Sequence, residues 1–339
     1  MEKMGGDYIM KKKIKIQLSL VLSIFMALAF VGCSQKQEVN DDVNIVKKEI
    51  SFIAPSGVPA TAISKMIKEN IQVDDNYNIN YSIENTSETL ATAVMKGEPD
   101  IAIVPSNLAA QAYNKGLGYK LVGTTGLGAL YLISTDDEIS FDDLSGKEVF
   151  NIGSGLTPDI VFKALLKESG IEDVTLSYVG GATELAPSIL GGKANYAVVP
   201  EPALTTILTK NPNIKVIASL NDLWKEKFYS DSGFPQASLI VKEDLINENK
   251  DFIDKLTEEI ESSINWVNEN NKEAATYSIE NGSQVDESIL EKSISNSNIK
   301  FIKAKDNEED YMAYFEVLEN ENAKSIGDKL PDENFFYEE

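Results

Sequence analysis

The chain has 339 residues, enough for two domains of ordinary size, with 31 basic against 54 acidic side chains and a formal net charge of −23. Every basic residue is a lysine, histidine and arginine are absent, and Cys33 is the only cysteine. This balance argues against a nucleic-acid partner, which needs a basic footprint, and it removes the commonest general base and metal ligand, thiol chemistry beyond one position, and the guanidinium fork that grips sulfonate, phosphate or carboxylate.

The first segment reads as an export signal over residues 1–32. Lys11-Lys12-Lys13-Ile14-Lys15 is followed by an apolar run from Leu18 to Val31 and then by Gly32-Cys33, the order of basic patch, short apolar core and small residue that a signal peptide requires. The run falls short of the ~20 residues that span a bilayer. Phe30-Val31-Gly32-Cys33 resembles the lipobox of bacterial lipoproteins, with Phe30 where leucine is usual. That resemblance implies that Cys33 takes a diacylglycerol and becomes the new N-terminus, tethering the protein to the outer face of the cytoplasmic membrane. Glu2 and Asp7 put acid where a signal carries base, and Gly5-Gly6-Asp7 can be encoded as a ribosome-binding site, so Met10 is the expected start. Residues 33–48, polar and without periodicity, read as a flexible tether.

From Glu49 the pattern alternates between strand and helix. Ile50–Ala54 is an expected strand, Pro55–Pro59 a loop, and Ala60–Asn70 a helix with Ile63, Met66 and Ile67 at helical spacing. Tyr77–Ile83 alternates as a strand, Ser87–Lys96 is a helix capped by Thr86 or Ser87, and Asp100–Pro105 is a buried strand from which Ser106 opens a helix. Leu121–Gly126 and Ala129–Ser134 are strands around a glycine break. A second unit repeats the theme: strands at Glu148–Ile152, Val174–Tyr178, Tyr196–Pro200 and Ile214–Ser219, with helices at Asp159–Ser169, from Gly180-Gly181-Ala182-Thr183 to Leu190, and at Ala203–Leu208. Gln236–Val241 is a last strand returning to the first unit, and Asp244 to about Leu318 reads as acid-rich helix. Strand–loop–helix units whose loops carry Ser, Gly or Thr occur twice in each half, and such loops place amides and hydroxyls where α/β proteins bind ligands.

Four segments together carry a family resemblance: Ala54-Pro55-Ser56-Gly57, Pro99 to Asn107, Gly180 to Leu185, and Val199-Pro200-Glu201-Pro202-Ala203. In order and spacing they are similar to the substrate-binding proteins of ABC importers in the nitrate, sulfonate, taurine and thiamine-pyrimidine group, over Glu49 to roughly Ile246. The resemblance implies an α/β, two-lobed periplasmic-binding-protein-like fold of type II with two crossing hinge strands. Lobe one would be 49–133 plus 236–339 and lobe two 134–235, closing on a small molecule and presenting it to an ABC permease and ATPase. Carried over residue by residue, it puts ligand contacts at Ser56, Gly57, Ser106 and Asn107 in lobe one. In lobe two it puts them at Ser154, Thr157, Gly181, Ala182, Thr183 and Glu201. Glu201, rigid between Pro200 and Pro202, would accept hydrogen bonds from an amine or aminopyrimidine, and the missing arginines lean the ligand towards a heteroaromatic or amine-bearing solute. Tyr131, Trp224 and Phe234 could supply an apolar wall, or else belong to the core. No cofactor, metal site or catalytic set is expected. Two alternatives share the fold: a sensor presenting its closed form to a membrane receptor, and an enzyme of the chorismate-dehydratase type.

Radiolabelled palmitate tests the anchor and start: label should enter the chain, disappear in Cys33→Ala, and survive loss of the Met1 codon.

Overall fold

The computed structural model describes residues 47–136 and 139–338. The export signal, Cys33 and most of the tether lie outside the described residues; the tether's last residue, Lys48, already belongs to the first strand.

In chain order the first half comprises β1 (Lys48–Pro55), α1 (Val58–Ala62), α2 (Ser64–Lys68), β2 (Tyr77–Glu84), α3 (Ser87–Met95), β3 (Ile101–Pro105), α4 (Ser106–Asn114), β4 (Tyr119–Leu127) and β5 (Leu130–Ser134). Next come β6 (Glu148–Ile152), α5 (Thr157–Glu168), β7 (Thr175–Val179), α6 (Ala182–Leu190), β8 (Tyr196–Pro200), α7 (Ala203–Lys210), β9 (Lys215–Ser219) and α8 (Leu220–Phe228). The chain then returns through β10 (Pro235–Lys242) to α9 (Glu243–Glu248), α10 (Lys250–Glu269), α11 (Asn271–Glu280), α12 (Glu287–Ser293), β11 (Ile299–Lys303) and α13 (Glu308–Asn322).

Two sheets result, one of six strands in the order β11-β4-β10-β3-β1-β2 and one of five in the order β7-β6-β8-β5-β9. The first is covered on both faces, which is why its central strands β1, β3 and β10 are nearly continuous apolar runs. Ile101, Ile103, Leu239 and Val241 point into one core with α1, α2 and α10. Their neighbours Ala102, Val104 and Ile240 point into the other with α4 and α13, the period of two that a pleated strand imposes. That second core continues without a break into the other lobe. It includes Leu130, Leu132, Val149 and Val198 of the five-stranded sheet, Phe162 and Leu165 of α5, and Trp224 of α8. The far face of the five-stranded sheet has its own smaller core, from Ile133, Val199, Leu185 and Leu204.

The chain passes between sheets twice. It leaves β4 at Leu127 and enters β5 at Leu130, and it returns from α8 to β10 through residues 229–234. The two passages touch: the Gly128 amide donates to the Phe234 carbonyl at 3.0 Å. A Cβ at Gly128 would lie 2.1 Å from the Phe234 ring, so only glycine fits. β5 therefore belongs wholly to the second sheet.

The structure departs from the sequence reading in two places and adds elements in two stretches where none was expected. The helix expected over Ala60–Asn70 is two short helices, broken at Ile63. β11 lies inside the region read as helix, α8 fills a stretch for which no element was expected, and Phe335, Phe336 and Tyr337 are buried near the chain end, where the Tyr337 amide donates to the Leu121 carbonyl at 2.8 Å.

Both passages are tied to α13 by buried hydroxyls. Thr124 of β4 donates to the Tyr311 hydroxyl at 2.8 Å, Ser238 of β10 shares a hydrogen bond with that hydroxyl at 2.8 Å, and Ser106 of α4 shares one with Ser238 at 2.7 Å. Asn307 adds a donor to Thr124 at 3.1 Å. Tyr311→Phe removes the hub and leaves buried hydroxyls short of a partner, which costs about 1–3 kcal/mol. The expected result is a lower urea midpoint with an unchanged slope.

Candidate functional site

The register places the carboxyl ends of both sheets' parallel strands beside the passages. Pro105, ending β3, pairs with Ala237 near the start of β10, and Pro200, ending β8, pairs with Leu130 at the start of β5. The loops after β1, β2 and β3 in one lobe, and after β6, β7, β8 and β9 in the other, thus gather at the junction of the lobes, where α/β sheets bind ligands.

In lobe one, Ser56 is exposed and its amide donates to the Glu84 carbonyl at 2.9 Å. Gly57 opens α1 at φ +94, a conformation glycine adopts without strain, and nothing crowds the position of a Cβ there. Both residues line a shallow recess with Thr61, Ser278, Asn281 and Ser283, so the end of α11 joins the first loop, which the sequence did not suggest. Its polar lining is hydroxyl and amide, without a charged group. The other two lobe-one candidates are engaged internally. The Ser106 hydroxyl belongs to the Tyr311 network, and Asn107 donates to the Ser325 carbonyl at 3.4 Å.

In lobe two, Ser154 is exposed at the tip of a loop whose flanking Gly153 and Gly155 sit at φ +64 and +75. Gly181, Ala182 and Thr183 form the start of α6, with Thr183 exposed. The Thr157 hydroxyl lies 3.2 Å from that of Tyr314 on α13, a bond between lobes.

Glu201 is buried, and the Glu201–Pro202 peptide is cis. One carboxylate oxygen accepts the Thr205 amide at 3.1 Å, and the other accepts the Thr205 hydroxyl at 2.9 Å and the Asn296 side-chain amide at 3.3 Å. Asn296 follows α12, and its carbonyl also accepts the Tyr131 hydroxyl at 2.6 Å. Glu201 and Tyr131 therefore pin the C-terminal segment to lobe two. Trp224 and Phe234 are fully buried and pack with Tyr314, so they are core rather than wall.

The structure thus keeps Ser56 with Gly57 and leaves Ser154 and Thr183 open, whereas Thr157 and Glu201 direct their side chains to the seam between lobes and Ser106 turns inward to Ser238 within lobe one. Two carboxylates not singled out in the sequence complete lobe two. Asp159, fully buried, accepts the Gly155 amide at 2.8 Å, the Tyr178 hydroxyl at 2.6 Å and Lys163 at 2.9 Å. Glu184 accepts the Gly180 amide at 2.9 Å. An acid in the first turn was the available signal for both.

Burial pushes the Glu201 carboxyl above its ordinary value of 4.5, against the hydrogen bonds from Thr205 and Asn296 that pull it down. The folded chain then holds that proton more tightly than the unfolded chain, so this group's contribution to stability is present at acid pH and is lost as pH rises through the raised value. Glu201→Gln removes that loss. The stability of the variant relative to the parent should rise as pH increases above the ordinary value of 4.5, followed by denaturant titration at each pH.

Three comparisons fit this geometry. A crystal structure of an ABC transporter from Parabacteroides distasonis superposes with a TM-score of 0.74 at 27% identity, covering 86% of this chain and 99% of that one. The periplasmic aliphatic sulphonate binding protein SsuA of Escherichia coli superposes at 0.70 over 86% of this chain and 92% of its own, at 11% identity, a likeness of fold alone. YtlA of Bacillus subtilis (strain 168), named as a candidate binding protein, is 23% identical over 296 residues, 84% of each chain. The two crossing passages and paired sheets are those of a type II periplasmic-binding-protein-like fold. The family model described as menaquinone biosynthesis matches residues 69–315, nearly three-quarters of the chain, and the chain belongs to that family.

Proposed function

We propose that this protein is an extracytoplasmic solute-binding lipoprotein that captures a small molecule between its lobes and delivers it to an ABC permease and ATPase. The observation that carries the reading is the convergence of seven strand ends at the junction of two lobes joined by two touching passages. Such an arrangement changes shape by rotation about the passages, and closure on a solute is the signal a permease can read. The likeness to an ABC transporter structure and to YtlA supports it. Ser56, Gly57, Ser154, Gly181, Ala182 and Thr183 are the groups proposed to meet the solute. Ser106, Asn107, Thr157 and Glu201 are proposed to act behind them, setting the position of the loops. The solute is a heteroaromatic or amine-bearing molecule, and Cys33 carries the lipid that holds the protein at the outer face of the cytoplasmic membrane.

The family model favours a second reading, an enzyme on the same fold. Such an enzyme would work without histidine, arginine or a thiol in its folded part, leaving carboxylates, lysines, hydroxyls and amides to move protons.

The two readings separate in one measurement. The full chain, purified in detergent, is incubated with a small-molecule extract of the producing cells, washed and denatured, and the released compound is identified by mass spectrometry. A solute recovered unchanged after prolonged incubation is expected; time-dependent conversion to a compound of different mass would establish the enzyme instead.

A further inference from the structure

Four large apolar side chains are markedly exposed among the described residues, and two of them, Leu156 at 60% in the loop after β6 and Tyr178 at 38% near the end of β7, flank Asp159, which bonds both Gly155 and Tyr178. Neither is loose. Leu156 is the N-cap residue of α5 and lies against Gly153, where an added Cβ would meet its side chain at 3.1 Å; one face of the leucine rests on backbone and the other is open. Tyr178 is held by its hydroxyl on the fully buried Asp159, which also fixes the Gly155 amide of the same loop. The result is a preformed apolar plate beside the exposed Ser154, with its orientation set before any ligand arrives.

The charges around the plate are of both signs, since Lys163 donates to Asp159 at 2.9 Å beside Tyr178. The N-terminus of an α/β helix ordinarily offers its amides to an anion. In lobe two these positions carry the chain's own carboxylates: Asp159 at α5, Glu184 in the first turn of α6, Glu201 at α7, and Asp222 in the first turn of α8. A sulfonate, nitrate or phosphate entering here meets amides already occupied by carboxylates, whereas an uncharged or cationic ring meets an apolar face.

Resting on the solute-binding reading above, we infer that Gly153, Leu156 and Tyr178 form a ring-binding subsite, which takes a planar uncharged or cationic ring in preference to an aliphatic anion. The ring stacks on Leu156 and against the Tyr178 edge, with Ser154 as the nearest hydroxyl.

Saturation-transfer NMR on the full chain in detergent tests this with 4-aminopyrimidine, benzylamine and ethanesulfonate as probes. Transfer to at least one ring probe is expected, reduced at least fivefold in Leu156→Ser and unchanged in Tyr229→Ser, a control at an exposed tyrosine outside the subsite. Ethanesulfonate should show less. Because Leu156 is exposed and serine is a favoured residue at its N-cap position, the melting temperature of Leu156→Ser should be no lower than the parent's, which separates loss of the subsite from loss of the fold. Absence of transfer to both rings, ring transfer indifferent to Leu156→Ser, or transfer to ethanesulfonate equal to that of the rings would each overturn the subsite. None of these outcomes touches solute capture itself, which stands or falls on the unchanged recovery of a retained compound.

Discussion

The hydroxyl of Tyr311 is the point from which the two-lobed arrangement is held. It lies in full burial between the strands that make the two passages, meeting Thr124 on one and Ser238 on the other, and through Ser238 it reaches Ser106 at the start of α4. A neutral network of this kind is favourable only when each member is satisfied, because an orphaned hydroxyl in an apolar core loses its hydration without return. The geometry of the passages, of the first turn of α4 and of α13 is therefore set jointly. One turn further along, Tyr314 meets Thr157 and packs on Trp224 and Phe234, carrying the same helix onto the other lobe.

The C-terminal segment consequently does more than cover lobe one. It touches lobe two at α5 through Tyr314 and at Glu201 and Tyr131 through Asn296. With one apolar core running through both lobes, any relative motion must preserve the α13 contacts, so rotation is confined to a path that keeps the aromatic cluster packed. Interiors at native density resist continuous deformation and pass between discrete packings.

Much of this was legible in residue order. The strands β1, β3, β6, β8 and β10 are short apolar runs bounded by Pro, Gly or charge, and their identity follows from burial on both faces. α8 had a visible signal, with Leu220, Leu223, Trp224 and Phe228 at helical spacing, but its short connection to β9 left only the strand expected there. β11, Ile299-Lys300-Phe301-Ile302-Lys303, is a brief alternation inside a long helical stretch, and it exists because the edge of β4 needs a partner. The direction of Glu201 was beyond reach: whether it faces a solute or the seam depends on Asn296, far along the chain, and no local pattern encodes that pairing. The same holds for Ser106, whose hydroxyl is taken by Ser238.

The strand order of the first sheet has a consequence for how the molecule is made. β10 lies between β3 and β4, although it is synthesised after the whole of the second lobe, and β11 and the Tyr337 amide complete β4 later still. Until those residues leave the ribosome, β4 has no neighbour on either side, and the N-terminal third cannot close its sheet. Non-local pairing of this kind slows folding because loop closure precedes the contacts that reward it. This topology keeps the emerging polypeptide from completing its first sheet until β10, β11 and Tyr337 have been added.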